Sequence, residues 1–193
     1  MFLPLQANRH SLLDGPLGSI TYHPAAVGDS IAAAWFELLH AGVPWQAQRR
    51  RMYDRDVDVP RLTAHYRFDD ADLPAPLMQA AAVAGELAGC VFNAVGLNLY
   101  RGGRDSVAPH NDKLHELVAG APIALLSLGA TRRMVIRAKQ GPRRRLELDL
   151  ESGSILVMSY ATQLHFDHGI PKNTETVGPR ISLAFRRRPP GSA

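Results

Sequence analysis

Apolar residues recur at a helical spacing in two segments of the first half of the chain. The segment 30–40 follows Asp29, a residue type suited to cap a helix N-terminus, and stops at Gly42. The alanine-rich segment 76–88 begins next to a proline and stops at Gly89. Both segments therefore predict helices. In the first helix, the stripe expected to be buried comprises Ile31, Trp35, Leu38 and Leu39.

In the second half the period changes to short apolar or alternating runs bounded by Gly or Pro, which is typical of strands. The clearest run is 145–150, where leucines alternate with Glu147 and Asp149, so that one face is packed and the other wet. We expect this run to pair with 133–138 across the intervening turn. The predicted strands cover 91–100, 122–129, 133–138, 144–150, 154–160 and 180–187.

Helices followed by a series of antiparallel strands indicate an α+β chain whose core is a β-sandwich, a jelly roll or a barrel. The chain has 193 residues, 46% hydrophobic and 21% charged, as expected for one globular domain. Within the domain 1–193 we predict helices in 1–90, packed against a β-rich core in 91–188.

The chain has one cysteine, Cys90, which excludes an intrachain disulfide and fits a reducing compartment. The first residues carry no basic segment ahead of a long apolar stretch, and no window is apolar enough to span a membrane. We therefore expect a cytoplasmic, monomeric protein without a membrane partner.

The formal net charge is +4, and basic residues are concentrated in 131–145. Such a cluster can bind a polyanion or can be the solvated face of a hairpin, and the sequence alone leaves both interpretations open. The cluster comprises Arg132, Arg133, Arg137, Lys139, Arg143, Arg144 and Arg145.

One pair of residues has the spacing of metal ligands. His110 and Asp112 are separated by one residue, so in a strand both side chains point to the same face and can share one ion. His168 follows later, and the intervening strands can return it to the same pocket. Two imidazoles and one carboxylate form the facial triad of non-haem Fe(II) oxygenases. His165 and Asp167 form a second HxD pair, and such pairs also occur by chance.

The last predicted strand carries a candidate anion site. Arg180 and Arg186 lie on one face with Ser182 and Ala184, while the apolar residues lie on the other face. The arginines are about 20 Å apart at Cα and their stems can lean inward, which leaves a gap suited to a short dicarboxylate. A solvent-facing arginine pair gives the same pattern.

Several motifs of the second half, in order and approximate spacing, resemble the AlkB family of Fe(II)- and 2-oxoglutarate-dependent dioxygenases. The resemblance covers about 91–188. The segment PRLTAHY at 60–66 is similar to the nucleotide-recognition region of that family. The other matching motifs are NLY at 98–100, HND at 110–112, HGIP from His168, and RISLAFR at 180–186.

The resemblance implies a double-stranded β-helix, which is a jelly-roll-like barrel with Fe(II) at one mouth. It assigns the iron to His110, Asp112 and His168 as catalytic ligands. Family members use O2 and 2-oxoglutarate to oxidise N-alkyl groups on nucleic-acid bases, and they release succinate, CO2 and formaldehyde. The implied partner is therefore DNA or RNA with alkylated bases.

The same resemblance assigns the co-substrate 2-oxoglutarate to Asn98, Tyr100, Arg180 and Arg186. Arg180 is expected on the distal carboxylate and Arg186 near the carboxylate that chelates iron. Two positions of the arginine motif depart from the family pattern. Ser182 and Ala184 stand where members commonly carry Asn and Thr, so part of the polar surroundings of the co-substrate is changed.

Residues that would hold the target base are expected mainly in a nucleotide-recognition lid within 1–90. Aromatic residues there flank the arginine run 49–51, as in sites that stack bases and contact phosphates. The candidates are Tyr66, in the PRLTAHY segment, and Arg51. Beyond the lid, Leu114 stands where several family members carry a carboxylate near the base. The other aromatic residues beside the run are Trp45, Tyr53 and Phe68.

Two other functions fit the sequence. One is a related 2-oxoglutarate dioxygenase that acts on a modified tRNA base or on a protein. The other is a non-catalytic relative that binds nucleic acid and keeps the fold. An intact ligand triad with both arginines disfavours the second alternative, because a binding module has no use for three metal ligands.

Overall fold

A computed structural model of the chain describes residues 9–52, 55–141 and 144–190, with the backbone alone for 50–52 and 55–58. The described residues form twelve strands and three α-helices. The strands are β1 (His10–Gly15), β2 (Gly18–His23), β3 (Gln46–Met52), β4 (Arg55–Arg67), β5 (Ala94–Tyr100), β6 (Val107–His110), β7 (Ile123–Gly129), β8 (Arg132–Ala138), β9 (Arg145–Leu150), β10 (Ile155–Met158), β11 (Phe166–Ile170) and β12 (Arg180–Arg186). The helices are α1 (Asp29–Gly42), α2 (Ala75–Ala88) and α3 (Tyr160–His165).

The strands form two antiparallel sheets. The larger has eight strands in the order β1-β2-β10-β7-β12-β5-β4-β3, and the smaller has four in the order β6-β11-β8-β9. In the larger sheet β12 lies between β7 and β5, so its side chains sit near the middle of that sheet.

Two apolar clusters fill the spaces between the helices and the two sheets. One cluster joins the outer face of the larger sheet to α1 and α2, and includes Leu39, Leu77 and Leu183. The other contains residues of both sheets, including Leu125 on β7 and Ile136 on β8. Because successive residues of a strand face opposite sides, β12 gives Ile181, Leu183 and Phe185 to the first cluster and turns its polar residues toward the smaller sheet.

The predicted helices and the six predicted strands of the second half are all present, with bounds that differ by at most a few residues. The helix α1 differs in its ends and its buried face. It is preceded by Gly28 without a side-chain cap, and Asp29 lies in its first turn. Its buried residues are Ala32, Trp35 and Leu39, whereas Ile31 and Leu38 are 49% and 61% exposed.

The described part of residues 1–90 contains both predicted helices, but it also contains four strands that the sequence did not predict, all before residue 68. The hairpin β1–β2 pairs through β2 with β10, and β4 pairs with β5, so both hairpins extend the larger sheet. The first half therefore supplies half of the strands of that sheet. No helix in the described part of the chain is both long enough and apolar enough to cross a membrane.

Candidate active site

The three predicted metal ligands come together between two neighbouring strands of the smaller sheet. His110 ends β6, Asp112 follows two residues later, and His168 lies on β11 opposite His110 in register. Their ligating atoms all lie within 4.8 Å of one another. Asp112 and His168 are buried, and His110 is exposed, so the group opens to solvent on one side.

Neighbouring groups orient two of these ligands. The Nδ1–H of His110 is placed to donate to the carbonyl oxygen of Ala108 at 3.0 Å, which leaves Nε2 for a metal. Arg186 donates from NH2 to Oδ1 of Asp112 at 3.1 Å, and its Nε donates to the other carboxylate oxygen.

The protonation states suit metal binding. Burial and the neighbouring His110 lower the pKa of His168 from 6.5 to about 4, so this imidazole is neutral near pH 7. Burial alone would raise the pKa of Asp112, but the Arg186 guanidinium outweighs burial and holds that pKa below its usual range. Because metal ligands must be a neutral imidazole and an ionised carboxylate, the site requires no deprotonation at neutral pH at these two positions.

A second group of polar residues lines the inner face of the larger sheet. Arg180 on β12 is 1% exposed, and its NH2 donates to Oγ of Ser127 at 2.8 Å. Its guanidinium carbon lies 5.3 Å from the ring centroid of Tyr100, the residue opposite it on β5. The Nε and NH1 atoms of Arg180 are buried without a hydrogen-bond partner. Buried charged donors left open in this way indicate a place for an anion.

The next row of residues across the sheet is polar on four strands. Thr63, Asn98, Ser182 and Ser127 occupy matching register positions on β4, β5, β12 and β7. The side-chain oxygen of Asn98 accepts a hydrogen bond from Nε of Arg61 at 2.7 Å. The Oγ1 of Thr63 is buried without a partner. This row lies along β12 between Arg180 and Arg186, where the sequence predicts the dicarboxylate.

The comparisons with known proteins place this geometry in a family. A family model described as the 2OG-Fe(II) oxygenase superfamily matches residues 20–186. The chain belongs to this superfamily. The predicted resemblance to its AlkB-type members is confirmed, and the family supports the predicted use of Fe(II), 2-oxoglutarate and O2.

Named relatives are of the AlkB type. The chain is 41% identical over 106 residues to the DNA oxidative demethylase ALKBH2 of Bos taurus, covering 51% of this chain and 38% of that protein. It is 31% identical over 200 residues to the alpha-ketoglutarate-dependent dioxygenase alkB homolog 3 of Homo sapiens, covering 91% of this chain and 68% of that protein. The chain thus spans less than half the length of the ALKBH2 relative.

A solved structure titled "The structure of OsALKBH1" has the same fold. It superposes with a TM-score of 0.60 at 14% sequence identity, and covers 87% of this chain and 97% of that chain.

The structure does not bring all the predicted base-binding residues to the metal ligands. Tyr66 pairs with Val95 and packs on the helix-covered face of the larger sheet, so it faces away from the metal ligands. Leu114 begins a single 3-10 turn just after Asp112 and is partly buried. Arg51 lies on β3, and its side chain lies outside the described residues.

The side chain before Tyr66 faces the site instead. His65 pairs with Gly96 on the inner face of the sheet. A Cβ built on Gly96 would lie 3.3 Å from Nδ1 of His65 and 3.0 Å from NH1 of Arg186, so both side chains converge over this glycine. Strand alternation could have identified His65 if β4 had been recognised as a strand.

Most described members of the basic cluster are already paired. Arg132 is 2% exposed and donates to the carbonyl oxygens of Gly102 and Asp105, both at 2.9 Å, and of Pro171 at 2.8 Å. The interpretation of Arg132 as a phosphate contact is therefore wrong. On the hairpin β8–β9, Arg133 pairs with Asp149 at 2.9 Å and Arg145 with Glu147 at 2.7 Å. Two predicted contacts, Tyr53 in the lid and Arg143 in the cluster, lie outside the described residues.

Two residues that bind the predicted site residues were missed. Ser127 accepts from Arg180, and Gln163 is fully buried with its side-chain oxygen 3.0 Å from the backbone N of Asp112. The polar Ser127 within the apolar run of β7 was a signal for the first. Gln163 gave no signal, because its contact with Asp112 spans 51 positions.

Proposed function

We propose that this protein is an Fe(II)- and 2-oxoglutarate-dependent enzyme that removes alkyl groups from bases of DNA or RNA by oxidation. The observation that carries the proposal is the arrangement of two arginines on one face of β12: Arg180 contacts Ser127 of the polar row and keeps two open donors, and Arg186 contacts Asp112 of the triad. A metal site alone would fit many proteins. A metal site beside a buried receptor for an anion fits the chemistry of a keto-acid co-substrate.

The two antiparallel sheets, with a shared apolar cluster between them, support a double-stranded β-helix as the finer description of the fold. In that arrangement the triad on the smaller sheet and the arginines on the larger sheet face the same interior. The pairing of Arg186 on β12 with Asp112 after β6 links the two sheets directly, and supports this proposal.

The residues of the site suit Fe(II) and 2-oxoglutarate. Two imidazoles and one carboxylate on one side of an ion leave the opposite side open, as Fe(II) oxygenases require. When bound, Fe(II) together with 2-oxoglutarate supplies the activation of O2 and the oxidation of the alkyl group. The chain holds the ion through His110, Asp112 and His168.

The arginines divide the work of binding the co-substrate. Arg180 is fixed by Ser127 and Tyr100, and it keeps two donors for a carboxylate. A planar guanidinium matches a carboxylate with two parallel hydrogen bonds, which orients the acid as well as attracting it. Arg186 donates hydrogen bonds to the Asp112 carboxylate, so its direct contact is with a proposed metal ligand. This differs from the simple picture of two arginines that grip the two ends of one dicarboxylate.

Nucleic acid as the substrate class is supported by the named relatives, which are DNA oxidative demethylases and an alkB homolog. After oxidation at the carbon attached to nitrogen, the product releases formaldehyde and the unmodified base. Lys113 and Leu114 follow the last ligand of the HND motif, and Lys113 is exposed whereas Leu114 is partly buried. Cytoplasmic location and the monomeric state stay predictions.

Turnover on a panel of methylated oligonucleotides tests the proposal. The protein is supplied with Fe(II), O2 and 2-oxoglutarate, and single- and double-stranded DNA and RNA containing methylated adenine or cytosine are analysed by mass spectrometry. We expect loss of the methyl mass together with stoichiometric succinate and formaldehyde. His168→Ala is expected to abolish both, whereas His165→Ala at an exposed position should retain them.

Two outcomes would contradict the assignment. Retained activity in His168→Ala would show that the metal ligands are misassigned. Succinate formation without demethylation of any oligonucleotide would favour a dioxygenase that acts on a modified tRNA base or a protein.

A further inference from the structure

A buried glutamine and a lysine connect the segment that carries Asp112 to the segment that leads into His168. Gln163 lies on the short helix α3, directly before β11, and is 0% exposed. Its Oε1 accepts the backbone N–H of Asp112 at 3.0 Å. Asp112 follows the end of β6, so this backbone group has no ladder partner in the paired positions of β6 and β11.

Lys139 donates hydrogen bonds to residues of the same two segments. Its Nζ donates to the backbone oxygen of Gln163 at 2.7 Å and to Oδ1 of Asn111 at 2.8 Å. Its own backbone N–H donates to the carbonyl oxygen of His165 at 2.9 Å. Asn111 in turn donates from Nδ2 to the carbonyl oxygen of Asp112 at 2.8 Å. We name Gln163, Lys139 and Asn111 the ligand clamp.

We infer that the ligand clamp positions Asp112 as a metal ligand, with Gln163 as its central positioning residue. Arg186 fixes the carboxylate of Asp112, but a carboxylate held only at its end can still swing with its backbone. The clamp fixes the backbone on both sides of the carboxylate, at its N–H through Gln163 and at its carbonyl through Asn111. Asp112 therefore needs both contacts, since metal affinity depends on a ligand held in one place.

The chemistry of the residue types supports this role. The amide of glutamine accepts from an N–H without bringing a second negative charge next to the Asp112 carboxylate. Lysine offers several donors from one atom, so Lys139 can bind Asn111 and Gln163 at once. Gln163 is a polar side chain with 0% exposure whose oxygen makes one long-range contact, which indicates that the contact is the reason for its position.

The inference rests on the proposed metal site, so the test uses a readout of the metal rather than turnover. Co(II) replaces Fe(II) because its visible absorption reports the number and geometry of its ligands. We expect Gln163→Met, which keeps the length and removes the acceptor, to weaken Co(II) binding about 10- to 100-fold and to alter the visible bands. Gln163→Glu keeps an acceptor oxygen but brings a second negative charge next to the Asp112 carboxylate, so it should recover only part of the affinity.

Lys139→Met provides an independent variant, because the Lys139 side chain is 27% exposed and its replacement leaves no fully buried group unpaired at position 139. We expect a loss of Co(II) affinity of about 3- to 30-fold, and a double variant with Gln163→Met that loses less than the product of the two. The matched control is Gln79→Leu, at an exposed position on α2 behind the larger sheet, which should bind Co(II) as the parent does.

The outcomes separate this inference from the proposed function. If the parent protein does not bind Co(II), or if His110→Ala binds it equally well, the metal site itself is wrong. If the parent binds Co(II) and His110→Ala does not, while folded Gln163→Met and Lys139→Met both match the parent in affinity and spectrum, the clamp has no positioning role. If Gln163→Met does not fold, folded Lys139→Met decides: an affinity and spectrum equal to those of the parent overturn the positioning role, and a loss of about 3-fold or more supports it.

Discussion

At the scale of single residues, Arg180 makes the sharpest test of the co-substrate pocket. Its guanidinium is buried, with Nε and NH1 open, so a bound carboxylate would complete its hydrogen bonds. A charge-assisted hydrogen bond contributes about 1.5 to 3 kcal/mol, which corresponds to about ten- to a hundredfold in affinity. We expect Arg180→Lys to lose this amount, measured by calorimetric titration of 2-oxoglutarate into the metal-loaded protein.

Lysine retains the charge at position 180 but lacks the planar fork, so the experiment separates geometry from attraction. The control is Arg187→Lys, at an exposed position just beyond β12. Binding by Arg180→Lys as tight as that of the parent would show that no carboxylate meets this guanidinium.

The residues 65 and 66 make a second test, because neighbouring residues of one strand face opposite sides. His65 converges with Arg186 over Gly96, whereas Tyr66 packs against the helices. We expect His65→Ala to lower kcat/KM on a methylated oligonucleotide about tenfold or more, the loss expected when a stacking surface is removed. Tyr66→Leu, which removes the ring but keeps an apolar side chain against the helices, should leave kcat/KM within about twofold. A larger loss of kcat/KM at Tyr66 than at His65 would show that Tyr66 binds the base, as the sequence predicts.

At the scale of elements, most of the interior strands could be predicted from the sequence, whereas of the four edge strands β1, β3, β6 and β9 only β9 could. The strands β7, β10 and β12 are buried almost throughout, so their apolar runs are continuous or alternate clearly. The strand β3 is polar, QAQRRRM, because it is an edge of the larger sheet and has no apolar neighbour on one side. Pro60 argues against a strand, but it falls where the β3–β4 register shifts, which accommodates a missing N–H.

The candidate site also has a part that could be predicted from the sequence and a part that could not. The two arginines were predictable because strand alternation places them on one face of β12 at a spacing of six residues. The triad was predictable because its members lie in two short motifs, HND at 110–112 and HGIP from His168. The clamp and the polar row were not, because Gln163, Thr63 and Ser127 act through contacts between distant strands. Sequence spacing also could not show that Arg186 binds Asp112, since 74 positions separate the two residues.

The turn between β9 and β10 contacts the segment that leads into α1, and this contact gives a prediction about stability. Gly153 has φ of 77°, and a Cβ there would lie within van der Waals overlap of the Val27 carbonyl oxygen, whose residue precedes α1. Gly141 has a similar φ of 81° with open space around it. We expect Gly141→Ala to lower the free energy of unfolding by about 1 kcal/mol through backbone strain alone.

Gly153→Ala adds a steric clash to the same strain, so we expect a loss of about 2 to 4 kcal/mol. Urea unfolding of both variants followed by circular dichroism measures the difference. Equal losses in the two variants would show that the contact with Val27 does not constrain the turn.

At the scale of the whole molecule, buried histidines make folding sensitive to acid. Burial, with the charges of Arg9 and His10, lowers the pKa of His23 below 6.5. Above pH 6.5 the ring is neutral in both states and contributes nothing to the pH dependence. Below it the unfolded chain binds a proton that the folded chain resists, so the free energy of unfolding falls until the pH reaches the folded pKa.

We therefore expect His23→Gln to lose less stability than the parent between about pH 7 and pH 5. The exposed His40→Gln, at the end of α1, serves as the control. The measurement is urea unfolding of the metal-free protein at several pH values. A slope equal to that of the parent would show that His23 is protonated as easily in the folded chain.

The distribution of charge decides how this molecule would meet a nucleic acid. The net charge of +4 suggests strong electrostatic attraction, but much of the basic cluster is committed within the protein. Arg132 is buried against carbonyl oxygens, Lys139 belongs to the clamp, and Arg133 and Arg145 pair with acidic residues of their own hairpin. A cation that already has an intramolecular partner releases few counterions when a phosphate approaches.

The expected salt dependence is therefore shallow. Single-stranded binding loses about 0.7 in log K per decade of salt for each phosphate neutralised, so about four contacts give a slope of about 3 or less in magnitude. Fluorescence anisotropy of a labelled, methylated single strand between about 50 and 300 mM KCl measures that slope. Arg133→Ala should change the affinity less than about twofold, because the side chain remains occupied with Asp149 in the parent. A slope steeper than about 5, lowered by Arg133→Ala, would show that these ion pairs open to receive phosphates.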